Sequence, residues 1–356
     1  MRDLVERPVS FEYGYNMNCA RCGGVTALTS TDYHRELNGA RVPCAHCTAD
    51  IHFGPAVMAL RNADDPALDD QMMCSVTWYH TSTAPGWPCS SHPMPPAAAA
   101  LLARMMPGDV AGPVRERHET QALHPGTYEA AIESMLRSMR DQDDGGAQWY
   151  LYRVALRRSG LTTEPGWRDE NTAEAAQITQ ADLGDSGAIR YLNVHESPGS
   201  VSVAARPESI AAVQCIALPV QALKVTAEPS LVSEVARIRT RLGQLEAERA
   251  AEPGTLDQIR RRAASSRHGV PYARSPTLEQ HKLLDHISTL IHDQYLQGVS
   301  PPVRAKFADA LFAWRQAQQR PVDDTSYIEQ FAVMATALTQ PAGILRALSR
   351  EVVRTI

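Results

Sequence analysis

Apolar and polar positions alternate in several stretches through the middle of the chain, and such alternation predicts strands. The first is CSVTWYHTS at residues 74–82, and WYLYRVALR at 149–157 is the clearest. SIAAVQCIALPV at 209–220 closes the series. Between them IRYLNVHESPGSVSVAARP, residues 189–207, reads as a strand that breaks and starts again: Ile189 and Tyr191 alternate, then Val201 and Val203, around His195, Glu196, Pro198 and Gly199. Helical segments intervene three times, the last a loop plus short helix at 164–184. AAAALLARMM at 97–106 predicts a short helix, and Ala130, Met135, Leu136 and Met139 give the segment after Thr127 one apolar face. Residues 73–224 therefore read as a mixed α/β segment.

Beyond about residue 228 the spacing becomes helical throughout. Leu231, Val235, Ile238, Leu242 and Leu245 form a short coiled-coil-like seam. Leu283, Ile287, Leu290 and Ile291 make one later face, and Phe307, Leu311 and Trp314 another. Thr277 with Gln280, and Ser326 with Glu329, match the capping-box pattern. Two stretches read as linkers: residues 54–72, which end in NADDPALDDQ, and the basic stretch 260–274. The second is an exposed linker in this reading, able to meet phosphates or an acidic partner.

Length and charge narrow the picture. A chain of 356 residues exceeds one ordinary core, so two or three domains are expected. A net charge of −5 gives no reason to expect nucleic-acid binding by the whole protein. Lys224, Lys282 and Lys306 are the only lysines, a bias read as genomic. The first residues lack a charged-then-apolar signal pattern, and no apolar run approaches the roughly 18 residues of a membrane span. A cytoplasmic location is the expectation.

Four of the seven cysteines carry the strongest local signal. NCARCGG and PCAHCTAD contain Cys19-x-x-Cys22 and Cys44-x-x-Cys47. Each C-x-x-C makes a tight knuckle, and two knuckles close a tetrahedral thiolate site with no open position. A structural Zn²⁺ ribbon over residues 1–55 follows, with strands at VTALTS and DIHFGP. His34, His46 and His52 are read as surface or outer neighbours. Five arginines against six acids over residues 1–53 lack a nucleic-acid footprint, so the ribbon is expected to serve folding or protein docking. Cys74, Cys89 and Cys215 are expected to be buried and inert.

Three further motifs fall in a suggestive order: Tyr79-His80-Thr81-Ser82 at the first strand, His124-Pro125-Gly126-Thr127-Tyr128-Glu129-Ala130-Ala131 entering a helix, and Tyr191 to Val203 carrying Glu196. Over about residues 75–218 this resembles the ADP-ribosyltransferase superfamily of the His-Tyr-Glu type. The resemblance implies that His80, with Thr81 and Ser82, holds the adenosine ribose of NAD. It implies that a tyrosine before the helix packs on nicotinamide, and that Glu196 holds the nicotinamide ribose, with Glu164 and Glu170 as weaker candidates. The chain departs from the family in two places. His80-Thr81-Ser82 lacks the common glycine, and His124 stands at the tyrosine position with Tyr128 one turn later. The expected fold class is α+β and multidomain: the zinc ribbon at 1–55, an ADP-ribosyltransferase-like mixed α/β domain at 73–224, and an all-α domain at 229–356.

The chemistry stands without the family. Cleaving a glycosidic C–N bond builds positive charge on the ribose, and a preorganised carboxylate stabilises it. Neutral histidine supplies both a donor and an acceptor to ribose hydroxyls. Trp78, Tyr79, Trp87, Trp149 and Tyr150 offer flat surfaces to a base. Ser200 and Ser202 share one strand face beside the turn, and Ser200 joins the expected NAD contacts. The candidate catalytic set is Glu196, His80 and His124, acting on NAD and an unidentified acceptor. Two other readings compete. One is a non-enzymatic docking or regulatory protein that meets a partner through its helical tail. The other is a metal-independent nuclease using a pair among His80, His124 and His195.

Overall fold

The computed structural model describes residues 1, 3–36, 42–51, 58–88, 104, 120–141, 144–168, 178–223, 225–251 and 277–356. The expected helix at 97–106, apart from Arg104, Cys89, Glu170, His52 and the basic stretch 260–274 lie outside these residues. The chain is mixed α/β and divides into two compact units. One comprises Met1–Lys224, Gly298–Pro321 and Val333–Ile356, and the other Val225–Gln297 with Val322–Ala332. This division differs from the three consecutive domains expected: the ribbon region and two pieces of the helical tail belong with the sheet. No single helix among the described residues is long and apolar enough to cross a membrane.

The first unit begins with two small antiparallel pairs. Strand β1 (Tyr15–Asn18) pairs with β2 (Val25–Leu28), and β3 (Val42–Pro43) with β4 (Asp50–Ile51), with helix α1 (Ser30–Glu36) between the pairs. The main sheet is built from β5 (Trp78–Ser82), β6 (Trp149–Leu156), β9 (Ile210–Leu218) and β10 (Arg354–Thr355), in the order β10-β9-β6-β5 and antiparallel throughout. β7 (Ala188–Leu192) and β8 (Val201–Ala205) form a hairpin, with Arg190 opposite Val203. The interrupted strand is thus two strands folded back on each other, and His195-Glu196 sits in the connection.

An extended segment at 121–126 joins hairpin and sheet. Tyr79 and Gly126 exchange two backbone hydrogen bonds of 2.8 Å, and so do Leu123 and Ala205. β5, the 121–126 segment, β8 and β7 are therefore neighbours in one hydrogen-bonded series. Strand alternation then sorts the side chains. Trp78, Leu123, Tyr152, Val154, Val201, Val203 and Val213 gather in one buried cluster. Ala122, Ile189, Tyr191 and Ala204 gather in another. Helix α2 (Tyr128–Asp141) follows Thr127, whose Oγ1 accepts from the Ala130 N–H and caps it. It covers the face bearing Tyr79 and Thr81, where the Thr81 hydroxyl donates to the Ala131 carbonyl at 2.8 Å. Helix α5 (Pro301–Ala317) packs on α2, and α7 (Pro341–Leu348) packs on β9.

The stretch expected to be a linker carries structural weight where it is described. Ala59 N–H donates to Asn16 O at 2.7 Å, and Arg61 N–H donates to Gly199 O at 2.7 Å. Residues 59–61 thus bond β1 on one side and the β7–β8 turn on the other. Arg190, with its side chain fully buried, donates to the carbonyls of Ala67 and Leu68 and pairs with Asp70.

The second unit contains α3 (Pro229–Ala251), α4 (Leu278–Tyr295) and the first part of α6 (Asp324–Thr339). Leu231, Val235, Ile238, Leu242 and Leu245 are all buried, and α3 packs on α4. The seam therefore closes within the chain. Thr277 and Gln280 form the expected capping box on α4. Ser326 and Glu329 do not form one on α6, because the helix starts earlier. Asp323 accepts from both the N–H and the hydroxyl of Ser326, leaving that serine inside the first turn.

Gly199 shows how tightly the turn is held. Its φ is +77°, and a Cβ there would lie 2.8 Å from the Ala59 carbonyl oxygen. Gly199→Ala is expected to lower stability by about 2 kcal/mol or more, from a disfavoured backbone region and a collision with backbone. Urea melts at neutral pH read this directly, and an unchanged midpoint would show that the turn relaxes freely.

Candidate metal centre and candidate active site

The four knuckle cysteines converge. The Sγ atoms of Cys19, Cys22, Cys44 and Cys47 all lie within 4.8 Å of one another. Cys19 to Cys47 is 3.6 Å and Cys22 to Cys44 is 3.7 Å. A zinc–sulfur bond of about 2.3 Å gives a tetrahedron with edges of about 3.8 Å, so the thiols already stand at ligand separation. The knuckle backbone favours thiolates. The His46 N–H donates to Cys44 Sγ, and this contact leads the effects that lower the Cys44 thiol to about 6. His46 itself faces away through Nε2, 3.0 Å from the Val25 carbonyl. The donor set suits a structural Zn²⁺ and leaves no position for substrate.

The three sequence motifs meet less completely. His80 is on β5, and its ring stacks on Trp87 at 4.2 Å. Trp87 and Trp78 are both buried in the core of that sheet face. Thr81 and Tyr79 point the other way, onto α2. Ser82 Oγ accepts from the Ala84 N–H and shapes the chain after the strand. Tyr128 is closed inside the core: it is 1% exposed, its hydroxyl donates to the Ala337 carbonyl, and its ring meets Tyr79 edge-on. It presents no face to a base. His80 and Tyr128 therefore lie on opposite sides of β5, and His80 and His124 also point to opposite faces. Neither the expected ribose–nicotinamide pairing of His80 with Tyr128 nor a His80–His124 acid–base pair is assembled.

Glu196 is near enough for its charge to act on His124, but no hydrogen bond or ion pair among the described residues joins them. His124 Nδ1 lies 3.2 Å from the Tyr191 hydroxyl, and Nε2 is buried without a hydrogen-bond partner. Burial, partly opposed by the Glu196 charge, lowers His124 to about 4 and keeps it neutral near pH 7. Glu196 pairs with Arg137 of α2. His195 beside it is exposed, and desolvation also lowers its basicity. Ser200 is buried and accepts from Asn193 Nδ2 at 2.9 Å, which also reaches Ser202 Oγ at 2.7 Å. Ser200 therefore braces the turn. Glu164 is bound by Arg168.

Sequence reasoning missed a second set of groups around this turn. Glu133 of α2 has a fully buried side chain, which accepts from the Tyr13 hydroxyl and from Lys306 Nζ. Burial first, and the Glu133 charge next, raise the Tyr13 phenol well above its ordinary value. Arg61 lies over the Tyr13 ring and donates to Ser197 Oγ at 2.9 Å. Glu133 and Arg137 are four residues apart on a helix, a spacing that reads as a surface ion pair. Nothing in the local pattern separates them from one. A cleft of about 400 Å³ opens beside Tyr13, between Thr29–Thr31 and Gly298–Arg304; its lining includes none of His80, His124 or Glu196. Cys74 and Cys215 are half-buried, and burial raises both thiols.

Comparisons of the chain with family models, with curated proteins and with solved structures each return no match.

Two outcomes follow from these centres. The purified protein is expected to hold one zinc per chain by elemental analysis. Cys44→Ser should abolish that occupancy and lower the melting temperature, and full occupancy in the variant would refute four-thiol ligation. His124 sets a pH dependence. Its unfolded value is near 6.5 and its folded value about 4, so it costs nothing above pH 6.5. The unfolded state alone takes up the proton as pH falls, which removes about 3 kcal/mol of stability by pH 4. His124→Gln is expected to lose correspondingly less than wild type between about pH 7.5 and 4 in urea melts. Parallel losses would overturn the assignment.

Proposed function

We propose that the sheet unit cleaves the nicotinamide–ribose bond of NAD, passing ADP-ribose to an acceptor or to water, and that the thiol centre stabilises its N-terminal region. The observation that carries this reading is a carboxylate, Glu196, held in the β7–β8 turn by Arg137 and close enough for its charge to act on the buried, neutral His124, beside a strand series joining all three motifs. In the reaction the C1′–N bond breaks with its electron pair leaving on nicotinamide. Glu196 then faces the positive charge that develops on the ribose. Neutral His124, whose buried Nε2 has no partner in the protein, supports the turn from within and does not touch the ribose. Arg137 pairs with Glu196 and orients it. His80 and Tyr128 have no direct part in this version of the site.

A second reading, a metal-stabilised docking protein without enzymatic activity, is favoured by one observation: Arg137 already occupies Glu196. Nicotinamide release from NAD by the zinc-loaded protein separates the two. The enzyme reading expects Glu196→Gln to reduce turnover by on the order of 10²-fold or more. It expects His80→Ala, on the opposite face, to change turnover less than about tenfold. Absence of both turnover and NAD binding in the wild type would reject the enzyme reading in favour of docking.

A further inference from the structure

Lys306 stands out on three grounds. It projects from α5, an element distant in sequence from every motif of the candidate site. It is one of three lysines in a chain that otherwise uses arginine for its basic side chains. Its ammonium makes two contacts of unusual consequence: 2.6 Å to Glu133 Oε2 and 2.5 Å to the His195 carbonyl oxygen. The first contact neutralises a carboxylate with no solvent exposure. The second grips the peptide immediately before Glu196.

The other side of Glu196 is also held. Arg61 donates to Ser197 Oγ, and its backbone N–H bonds Gly199 O. Ser197 has a φ of +49°, a conformation that a non-glycine residue keeps only when its surroundings enforce it. Glu196 thus lies between two anchored residues, with the ammonium fixing the preceding carbonyl and the guanidinium fixing the following hydroxyl. Lysine suits its position. A compact tetrahedral ammonium can donate to a carboxylate and a carbonyl in different directions, whereas a planar guanidinium favours parallel acceptors.

We propose that Lys306 is a positioning residue for Glu196: it uses the buried Glu133 carboxylate as a fixed post and sets the β7–β8 turn through the His195 carbonyl. Its effect on turnover rests on the NAD reading above, whereas its effect on the turn does not. The test therefore has two readouts on the full-length, zinc-loaded protein. One is amide hydrogen exchange at Gly199 and Ser200, whose N–H groups bond Asn193 O and Ser197 O in the native turn. The other is the separate measurement of kcat and KM for NAD.

Lys306→Met is expected to speed exchange at these amides at least tenfold while distant sheet amides stay protected. It is expected to lower kcat at least tenfold with KM within about threefold. Lys306→Arg retains a cation for Glu133 and serves as the second variant should Met prevent folding. It should lie between wild type and Met in exchange, because one planar group cannot reproduce both contacts. Wild-type exchange at the turn in a folded Lys306→Met or Lys306→Arg protein overturns the proposal. If exchange rises but the wild type itself neither turns over nor binds NAD, the NAD reading fails and the positioning of the turn stands. If exchange rises and kcat is unchanged in an active enzyme, the positioning role in catalysis is overturned.

Discussion

A carboxylate without solvent must find its counter-charge inside the protein, and Glu133 finds it across three segments far apart in sequence. Tyr13 approaches from the N-terminal region, Lys306 from a helix near the other end, and Glu133 itself from α2. Breaking such a buried pair by removing one partner costs about 3–5 kcal/mol, because the remaining charge is left uncompensated. The constraint therefore does more than add a bond. It requires α5 to return to α2, and that requirement places part of the helical tail in the same unit as the sheet. The His195 carbonyl joins the arrangement through the same ammonium, so the turn carrying Glu196 depends on a contact made for another purpose.

The fold was readable where local periodicity and burial agree. β6 and β9 are continuous runs of mostly apolar residues and sit in the sheet interior, and the apolar face of α2 meets the sheet as its spacing implies. The α3 seam is buried residue by residue. Reading failed where a tertiary contact decides the outcome. The β7–β8 stretch reads as one interrupted strand because alternation is the same before and after a hairpin; only the pairing of Arg190 with Val203 distinguishes them. Arg190 is likewise settled by tertiary contact, lying buried under the carbonyls of residues 67 and 68.

The candidate sites divide in the same way. The convergence of the four cysteines was legible because C-x-x-C spacing is itself the geometry of a knuckle. The position of Glu196 was partly legible, since it stands where one strand ends and the next begins. Assigning His80 and Tyr128 to the same cleft failed because α2, which carries Tyr128, packs on the face of β5 bearing Tyr79 and Thr81, while alternation sends His80 to the other face. Glu133, Lys306 and Arg61 carry no local signature, and their importance arises only from what they touch.

The short stretch at residues 59–61 has a consequence for how this molecule could have been assembled. One edge bonds the strand that leads into the first cysteine knuckle, and the other bonds the turn behind Glu196. A cysteine ribbon is ordinarily a portable part, gained or lost at a chain end without disturbing its host. Here it shares a backbone seam with the region it precedes, so exchanging it for another ribbon would also require replacing the seam. A shift in the register of this seam would therefore displace the cysteine-bearing region and the turn behind Glu196 together.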